Sequence, residues 1–407
     1  MPPYYSRVNA NSNTPAAYHF TSLLEQVVDG GFCIGCGACA GLADSPLSMR
    51  LQPDGLYRPQ PDPDRSDAPE GFDLGQVCPF YADANEDTLA RARFDDAGHQ
   101  DAAIGFYRKC YAGRVLDAER RATSSSGGLV TWVVEALLEH DWVDGVIHVG
   151  ATESDAEGAL FRYQVTQTPD AARRGAKTRY YPVEFSRVAA FVRENPGRYA
   201  FVGVPCFVKA IRLLAWQDAA INEAIVYCIA LFCGHMKSAA YAQHLSWQLG
   251  IAPDALEGID FRRKREGIPA NRYGVTVTGR DANGVREERF APMEKLHGGD
   301  WGLGLFKPRA CDFCDDVAGE TADLACGDAW LPGYVDDSRG TSMGIVRSAA
   351  LERLLVDGCR RGELALDRLA PAAVTASQDA SYRHRGEGLA YRLAQWDAAG
   401  RWRPPKR

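Results

Sequence analysis

Tyr199-Ala-Phe-Val-Gly-Val-Pro-Cys206-Phe-Val-Lys-Ala-Ile-Arg-Leu-Leu-Ala-Trp216 reads as a buried strand over Tyr199–Val204 that passes at once into an amphipathic helix over Phe207–Trp216. The same alternation surrounds it. Val143–Val149 and Ile225–Phe232 have the continuous apolar character of buried strands, and Leu129–Glu139 and Ala239–Leu249 carry helical spacing. Strands alternating with helices favour an α/β layer built on a parallel or mixed sheet. A hairpin interrupts it, with Tyr273–Thr278 and Val285–Phe290 joined through Asp281-Ala282-Asn283-Gly284, whose Asn-Gly step suits a turn with positive φ.

The chain has 407 residues, enough for two or three domains and a sheltered cofactor. Its 46% hydrophobic and 24% charged residues are ordinary for a globular protein and exclude a disordered or fibrous one. With 46 Lys and Arg against 53 Asp and Glu, the net charge of −7 argues against nucleic-acid binding as its task. The longest apolar run, Ala224–Cys233, is too short for a membrane span and reads as a buried strand. The first residues, Met-Pro-Pro-Tyr-Tyr-Ser-Arg and an Asn-rich polar stretch, lack the apolar centre of a secretory signal, so a reducing cytoplasm is expected. The Arg-rich last thirty residues, ending Arg-Pro-Pro-Lys-Arg, read as a solvated or loosely docked tail.

Twelve cysteines are too few for a disulfide scaffold and many for an enzyme with no use for thiolates. Cys33-Ile-Gly-Cys36-Gly-Ala-Cys39 is a C-x2-C-x2-C run whose small intervening residues let the backbone curl around a cubane with its amides toward sulfur, the ferredoxin-type start of a 4Fe-4S site. The ferredoxin fourth position is Ala43 here, and Cys78, followed by Pro79, is the replacement. Zinc is the competing reading, but it prefers two separated C-x2-C pairs. A Pro-, Asp- and Gly-rich stretch, Gln52–Gly71, is expected to hold little regular structure, so metal rather than a hydrophobic core would organise residues 1–95.

A second group is less local. Cys311-Asp-Phe-Cys314 alone fits a zinc site, a cluster or a redox pair. Cys206 ends one expected strand and Cys233 the next, in Leu231-Phe-Cys233-Gly-His235, so one sheet edge could join these two thiols to the Cys311–Cys314 loop. Cys110, Cys228 and Cys359 have no such pattern and read as core or loop residues. Cys326 reads likewise, though it could be a spare ligand. His235 reads as a structural histidine and no residue is assigned a catalytic role.

Ser124-Ser125-Ser126-Gly127-Gly128 gathers hydroxyls and unencumbered amides at the start of the Leu129 helix, where phosphate is received, although a plain N-cap has the same residues. Gly175-Ala-Lys177-Thr178-Arg179-Tyr180 adds two cations and a ring able to stack on a flavin. No G-x-G-x-x-G follows a strand, so a Rossmann nicotinamide site has no support.

These motifs together resemble the coenzyme F420 hydrogenase and dehydrogenase beta-subunit family, which includes 7-hydroxymethyl chlorophyll a reductase-like iron-sulfur flavoproteins. The resemblance covers residues 105–350, with an N-terminal region similar to that of the longer members. Its carriers are Ser126-Gly127-Gly128, Lys177-Thr178-Arg179-Tyr180, Pro205-Cys206, Cys233, Cys311 and Cys314, and Ala322-Asp323 through Gly327-Asp328. Arg179 splits the family's Lys-Tyr pair, and Cys326 stands where members usually carry another residue. The resemblance implies FAD, held by Ser125, Ser126, Gly127, Gly128, Lys177, Thr178, Arg179, Tyr180 and Pro205, near a 4Fe-4S cluster on Cys206, Cys233, Cys311 and Cys314. With Cys33, Cys36, Cys39 and Cys78 that makes two 4Fe-4S clusters.

The expected fold is therefore α/β with α+β elements, a mixed-sheet flavoprotein core with an N-terminal ferredoxin-like iron-sulfur segment. Its expected parts are 1–95 for the first cluster, 96–198 for flavin, 199–350 for the second cluster and 351–407 as a helical, basic tail. The expected function is an FAD- and 4Fe-4S-dependent oxidoreductase taking electrons from a ferredoxin-like donor to a small organic substrate or deazaflavin. The alternative is an electron-transfer beta subunit with no substrate of its own, docking on a hydrogenase or dehydrogenase partner. A homo-oligomer is compatible with either, and a colourless zinc-stabilised binding protein is the third reading.

Overall fold

A computed structural model of the chain describes residues 22–65, 73–152, 158–281 and 283–407. The amino-terminal stretch read for a signal therefore lies outside the described residues, as does Ala282 of the expected turn.

Eight strands form the central sheet: β1 Lys109–Val115, β2 Gly145–Ala151, β3 Phe161–Thr166, β4 Tyr199–Gly203, β5 Ile225–Leu231, β6 Leu324–Asp328, β7 Ser342–Val346 and β8 Leu364–Leu369. Their order across the sheet is β8-β1-β7-β6-β5-β4-β2-β3. The neighbours β2, β4, β5 and β6 run parallel, while β3, β7, β1 and β8 pair antiparallel at the flanks. The sheet is thus mixed, as the alternation of elements predicts.

Both faces of the central strands are covered, which explains their unbroken apolar runs. Ala200, Val202, Ile229, Leu324 and Cys326 pack on one side with the helix Leu129–Glu139 and with Leu351, Leu354 and Leu355 of the helix Ala349–Arg360. Phe201, Cys228, Ala230 and Ala325 face the other side, where the helix Pro205–Gln217 lies. The period of two places Cys326 on the face opposite Cys228.

The expected hairpin is present as Gly274–Arg280 and Arg286–Pro292, and Leu256–Arg263 joins it as a third antiparallel strand. Its turn is longer than a two-residue Asn-Gly connection, because Arg280 pairs with Arg286 and Asp281 caps the loop by accepting from the amides of Asn283 and Val285.

Both ends of the chain depart from expectation. Gln52–Gly71 does hold regular structure, since Tyr57–Pro61 pairs with Leu47–Leu51. Pro59 and Pro61 are tolerated because a two-stranded ribbon leaves an open edge. The ribbon buries Leu47, Met49 and Tyr57 in period two. The tail is not loosely docked either. Trp396 lies 5.3 Å and Trp402 5.4 Å from the Phe32 ring, edge-on. Lys406 pairs with Asp315 at 3.2 Å and Arg407 with Glu320 at 2.8 Å. Carboxylates already buried there need counter-charges, and the aromatic contacts, at ~0.5–1.5 kcal/mol per pair beyond the area they bury, oppose the entropy of ordering the segment.

Candidate functional site

The carboxyl ends of parallel β4, β5 and β6 share one sheet edge, and the chemistry gathers there. β4 ends at Gly203 and delivers Cys206 in the first turn of Pro205–Gln217. β5 ends at Leu231, two residues before Cys233. Cys206, Cys233, Cys311 and Cys314 line a single pocket with Ile34, Phe80, Pro205, Met236 and Arg385. The Met236 amide donates to Cys311 Sγ at 3.3 Å, and Arg385 Nη1 to Cys314 Sγ at 3.3 Å.

Burial pushes all four thiols up, Cys311 to about 12, and the neighbouring thiols oppose the ionisation of Cys206 further. Four thiolates can be held here only with positive charge among them, which is what a bound metal centre supplies.

Cys33, Cys36, Cys39 and Cys78 form the second quartet, each within the field of others of the set. Its backbone curls as the small residues predict: the Gly35 amide donates to Cys33 Sγ at 3.4 Å, and the backbone amides of Ala38, Ala40 and Phe80 favour the ionised forms of Cys36, Cys39 and Cys78. Gly35 is required twice over, by a φ of +69° and because a Cβ there would meet the Tyr57 carbonyl oxygen at 2.6 Å. Among the described residues no trio of His, Cys, Asp or Glu is arranged to hold a single metal ion. A single zinc would bind each thiolate at ~2.3 Å, whereas a polynuclear cluster takes its four thiolates on separate irons.

The quartets are neighbours. Cys36 opposes the ionisation of Cys206, Ile34 and Phe80 from the amino-terminal segment line the Cys206 pocket, and the Phe185 amide donates to the Cys36 carbonyl at 2.9 Å. Cys326 belongs to neither, packed on the opposite sheet face with burial alone raising its thiol to about 12. Cys110 and Cys228 lie in the core and Cys359 is half-buried on a helix.

Residues 124–128 lie at the same edge, beside the ends of β1 and β7. Ser126 Oγ donates to the Thr341 carbonyl at 2.9 Å, and a Cβ on Gly127 would meet the Gly113 oxygen at 2.4 Å. The second motif docks directly on the first, since the Thr178 amide donates to Ser125 Oγ at 2.8 Å. Lys177 has a φ of +131°, costly for a non-glycine by ~1–3 kcal/mol, and is held by its ion pair with Asp260 at 3.0 Å. Arg179 turns onto the Phe161 ring at 4.9 Å. Tyr180 packs 4.6 Å from Trp301, which stacks at 4.4 Å on His235. An aromatic path thus joins the Lys177–Tyr180 loop to the strand end carrying Cys233. Burial holds the His235 ring neutral, with its pKa lowered to about 2.

Three cationic contributors to these sites go beyond the sequence motifs. Arg262 forms a two-point ion pair with Asp328 at 2.9 and 3.0 Å and reaches Tyr180 Oη at 3.4 Å. Lys264 Nζ donates to the Ser126 carbonyl at 2.8 Å and to the Arg121 carbonyl. The basic run Arg262–Arg265, closing the strand Leu256–Arg263, is the signal that could have found both. Arg385, from the tail, has no local signal at all.

Two family models match the chain. One, "Coenzyme F420 hydrogenase/dehydrogenase, beta subunit N-term", covers residues 110–190, and its counterpart for the carboxyl terminus of the same beta subunit covers residues 197–372. Among solved structures, the chain is similar to one from the F420-reducing NiFe hydrogenase complex of Methanosarcina barkeri, with a TM-score of 0.53 and 16% identity over 72% of this chain and 95% of that one. That likeness is one of fold. No curated protein matches.

Proposed function

The chain belongs to the coenzyme F420 hydrogenase/dehydrogenase beta-subunit family, part of an oxidoreductase, and from that membership we propose that it is an iron-sulfur flavoprotein reductase of the cytoplasm. Cys33, Cys36, Cys39 and Cys78 hold an outer 4Fe-4S cluster, and Cys206, Cys233, Cys311 and Cys314 an inner one. The Ser125–Gly128 turn, the Lys177–Tyr180 loop and Pro205 hold FAD. Bound together, such groups pass single electrons through iron and exchange them in pairs at the flavin. The donor is a ferredoxin-like protein and the acceptor a small organic molecule or deazaflavin.

The observation that carries this reading is continuity: two thiol quartets abut at Cys36 and Cys206, and the inner one connects through His235, Trp301 and Tyr180 to a cationic, amide-rich turn. The chain's own residues supply the pocket that excludes water from the inner thiols, the donors that orient sulfur and the charges that receive a pyrophosphate. Anaerobic purification with iron, sulfide and flavin quantitation tests it. About eight irons and one flavin per chain are expected; about four irons would remove one quartet from the reading.

The second reading is a subunit without its own substrate, favoured by the relative's occurrence in a hydrogenase complex. A stable stoichiometric partner in a pull-down would decide for it. No helix among the described residues is long and apolar enough to cross a membrane.

Flavin binding should depend on pH through Lys264. Burial, with the positive charges of Lys177, Arg121 and Arg262 around it and Asp328 opposing, lowers its pKa to about 7. A bound pyrophosphate favours the ammonium and raises that value, so binding above pH 7 takes up a proton and FAD affinity falls as pH rises. Lys264→Met should weaken FAD about tenfold or more, from the loss of a charge-assisted hydrogen bond of ~1.5–3 kcal/mol, and flatten the pH dependence between 7 and 9. Fluorescence titration of flavin-stripped protein reads both, and an unchanged slope in the variant would show that Lys264 is not the titrating group.

A further inference from the structure

Arg385 sits on the helix Asp379–Arg385, beyond the last residue matched by either family model. Its side chain reaches the inner thiol pocket and is buried, with 5% of the residue exposed. Nη1 donates to Cys314 Sγ at 3.3 Å and to the Asp316 carbonyl, and Nη2 to the Gly234 carbonyl at 2.9 Å, while Nε has no partner among the described residues. The nearby Asp316 carboxylate accepts from the Gly319 and Glu320 amides at 2.7 and 3.0 Å and acts on the guanidinium through its field alone. The guanidinium thus bonds Cys314 Sγ and two carbonyl oxygens, and it also favours the ionised form of Cys233. A full charge that bonds no carboxylate oxygen in so dry a place is favoured by an anion beside it.

Lys406 comes from the same segment. Its ammonium lies 4.7 Å over the Phe80 ring, which also lines the thiol pocket, and pairs with Asp315, the residue after Cys314. Its side chain is 2% exposed. Two cations of one terminal segment are thereby fixed against one thiol quartet, with Trp396 and Trp402 packed on Phe32 to hold the segment down.

We propose that residues 379–407 form a cationic clamp on the inner quartet, in which Arg385, as a positioning residue bonded to sulfur, and Lys406 make the cluster held there easier to reduce than the same four thiolates would alone. The inference rests on the reading of the quartet as a cluster site. A cluster on four thiolates is net anionic and gains one further negative charge on reduction. Fixed positive charge and hydrogen bonds to its sulfurs favour the reduced form. The balance is one electron taken from the external donor and no bond made or broken in the protein.

The test is a redox titration followed by electron paramagnetic resonance on the anaerobically purified full chain, with iron and sulfide quantified in each sample. Arg385→Gln should shift the reduction equilibrium of one cluster about tenfold toward the oxidised form, about 59 mV for a one-electron couple, leaving the other cluster unmoved. Arg385→Lys should restore part of the shift, and Lys406→Gln should move the same cluster the same way by less. Arg385→Gln with full iron and both potentials unchanged overturns the clamp. If that variant instead loses half its iron, unchanged potentials in both Arg385→Lys and Lys406→Gln overturn it. Wild-type protein without iron and sulfide overturns the cluster reading itself, a failure told apart from the others because no variant is needed to see it.

Discussion

Replacing Cys206 by alanine should halve the iron content, from about eight to about four per chain, and abolish electron delivery from a reduced ferredoxin-like donor while flavin remains bound. Cys206 stands where the two quartets meet: its sulfur shares a pocket with Cys233, Cys311 and Cys314 and lies within the field of Cys36 from the other quartet. Its place in the first turn of Pro205–Gln217 makes alanine benign for the helix, so the loss would report on the thiolate and not on the fold. Cys78→Ala is the companion variant. It should remove the outer set of four irons and leave both the inner set and the flavin. Equal loss of flavin in Cys78→Ala would show that the two halves of the site are not separable.

Asp323→Ala should destabilise the protein by ~3–5 kcal/mol, the scale of breaking a buried ion pair by removing one member. That is a large part of the ~5–15 kcal/mol by which folded domains are stable. Asp323 is 3% exposed, and its Oδ2 accepts from Arg212 Nη2 at 2.7 Å and from the Cys228 amide at 2.7 Å, tying the helix Pro205–Gln217 to β5. Arg93, on the helix Glu86–Phe94, approaches Oδ1 at 3.8 Å. With the carboxylate gone, the Arg212 guanidinium loses its 2.7 Å ion pair and keeps the Thr321 carbonyl at 3.2 Å. Arg212→Met added to Asp323→Ala should recover much of the loss, because an apolar side chain needs no partner there. Denaturant melts of the three proteins decide it; a single variant within ~0.5 kcal/mol of wild type, the scale of a neutral surface change, would refute the role assigned to this carboxylate.

The strands at the centre of the sheet are legible in the sequence because they are buried on both faces and therefore write long apolar runs. The expected Tyr199–Val204 and Ile225–Phe232 differ from the observed Tyr199–Gly203 and Ile225–Leu231 by one residue each. That is enough to put Cys206 and Cys233 at one sheet edge, and the clustered Cys33–Cys39 run announces its own curled backbone. The flanking strands Phe161–Thr166 and Leu364–Leu369 carry mixed patterns that do not stand out from their surroundings.

Placement over long sequence distance is not legible in the same way. Arg385 meets Cys314 across 71 positions and Arg262 meets Ser125 across 137, and neither arginine has a spacing rule that points to its partner. The tail misleads for a related reason: an Arg-rich end looks solvated until the buried Asp315 and Glu320 that it neutralises are known.

The inner pocket takes its walls from Ile34, Phe80, Cys206, Cys233, Cys311, Cys314 and Arg385, so during synthesis it cannot exist until nearly the whole polypeptide has left the ribosome. The other quartet draws its four thiols from the stretch Cys33 to Cys78 alone. The inner pocket is consequently completed last, by Arg385 and the segment whose Trp396 and Trp402 pack on Phe32.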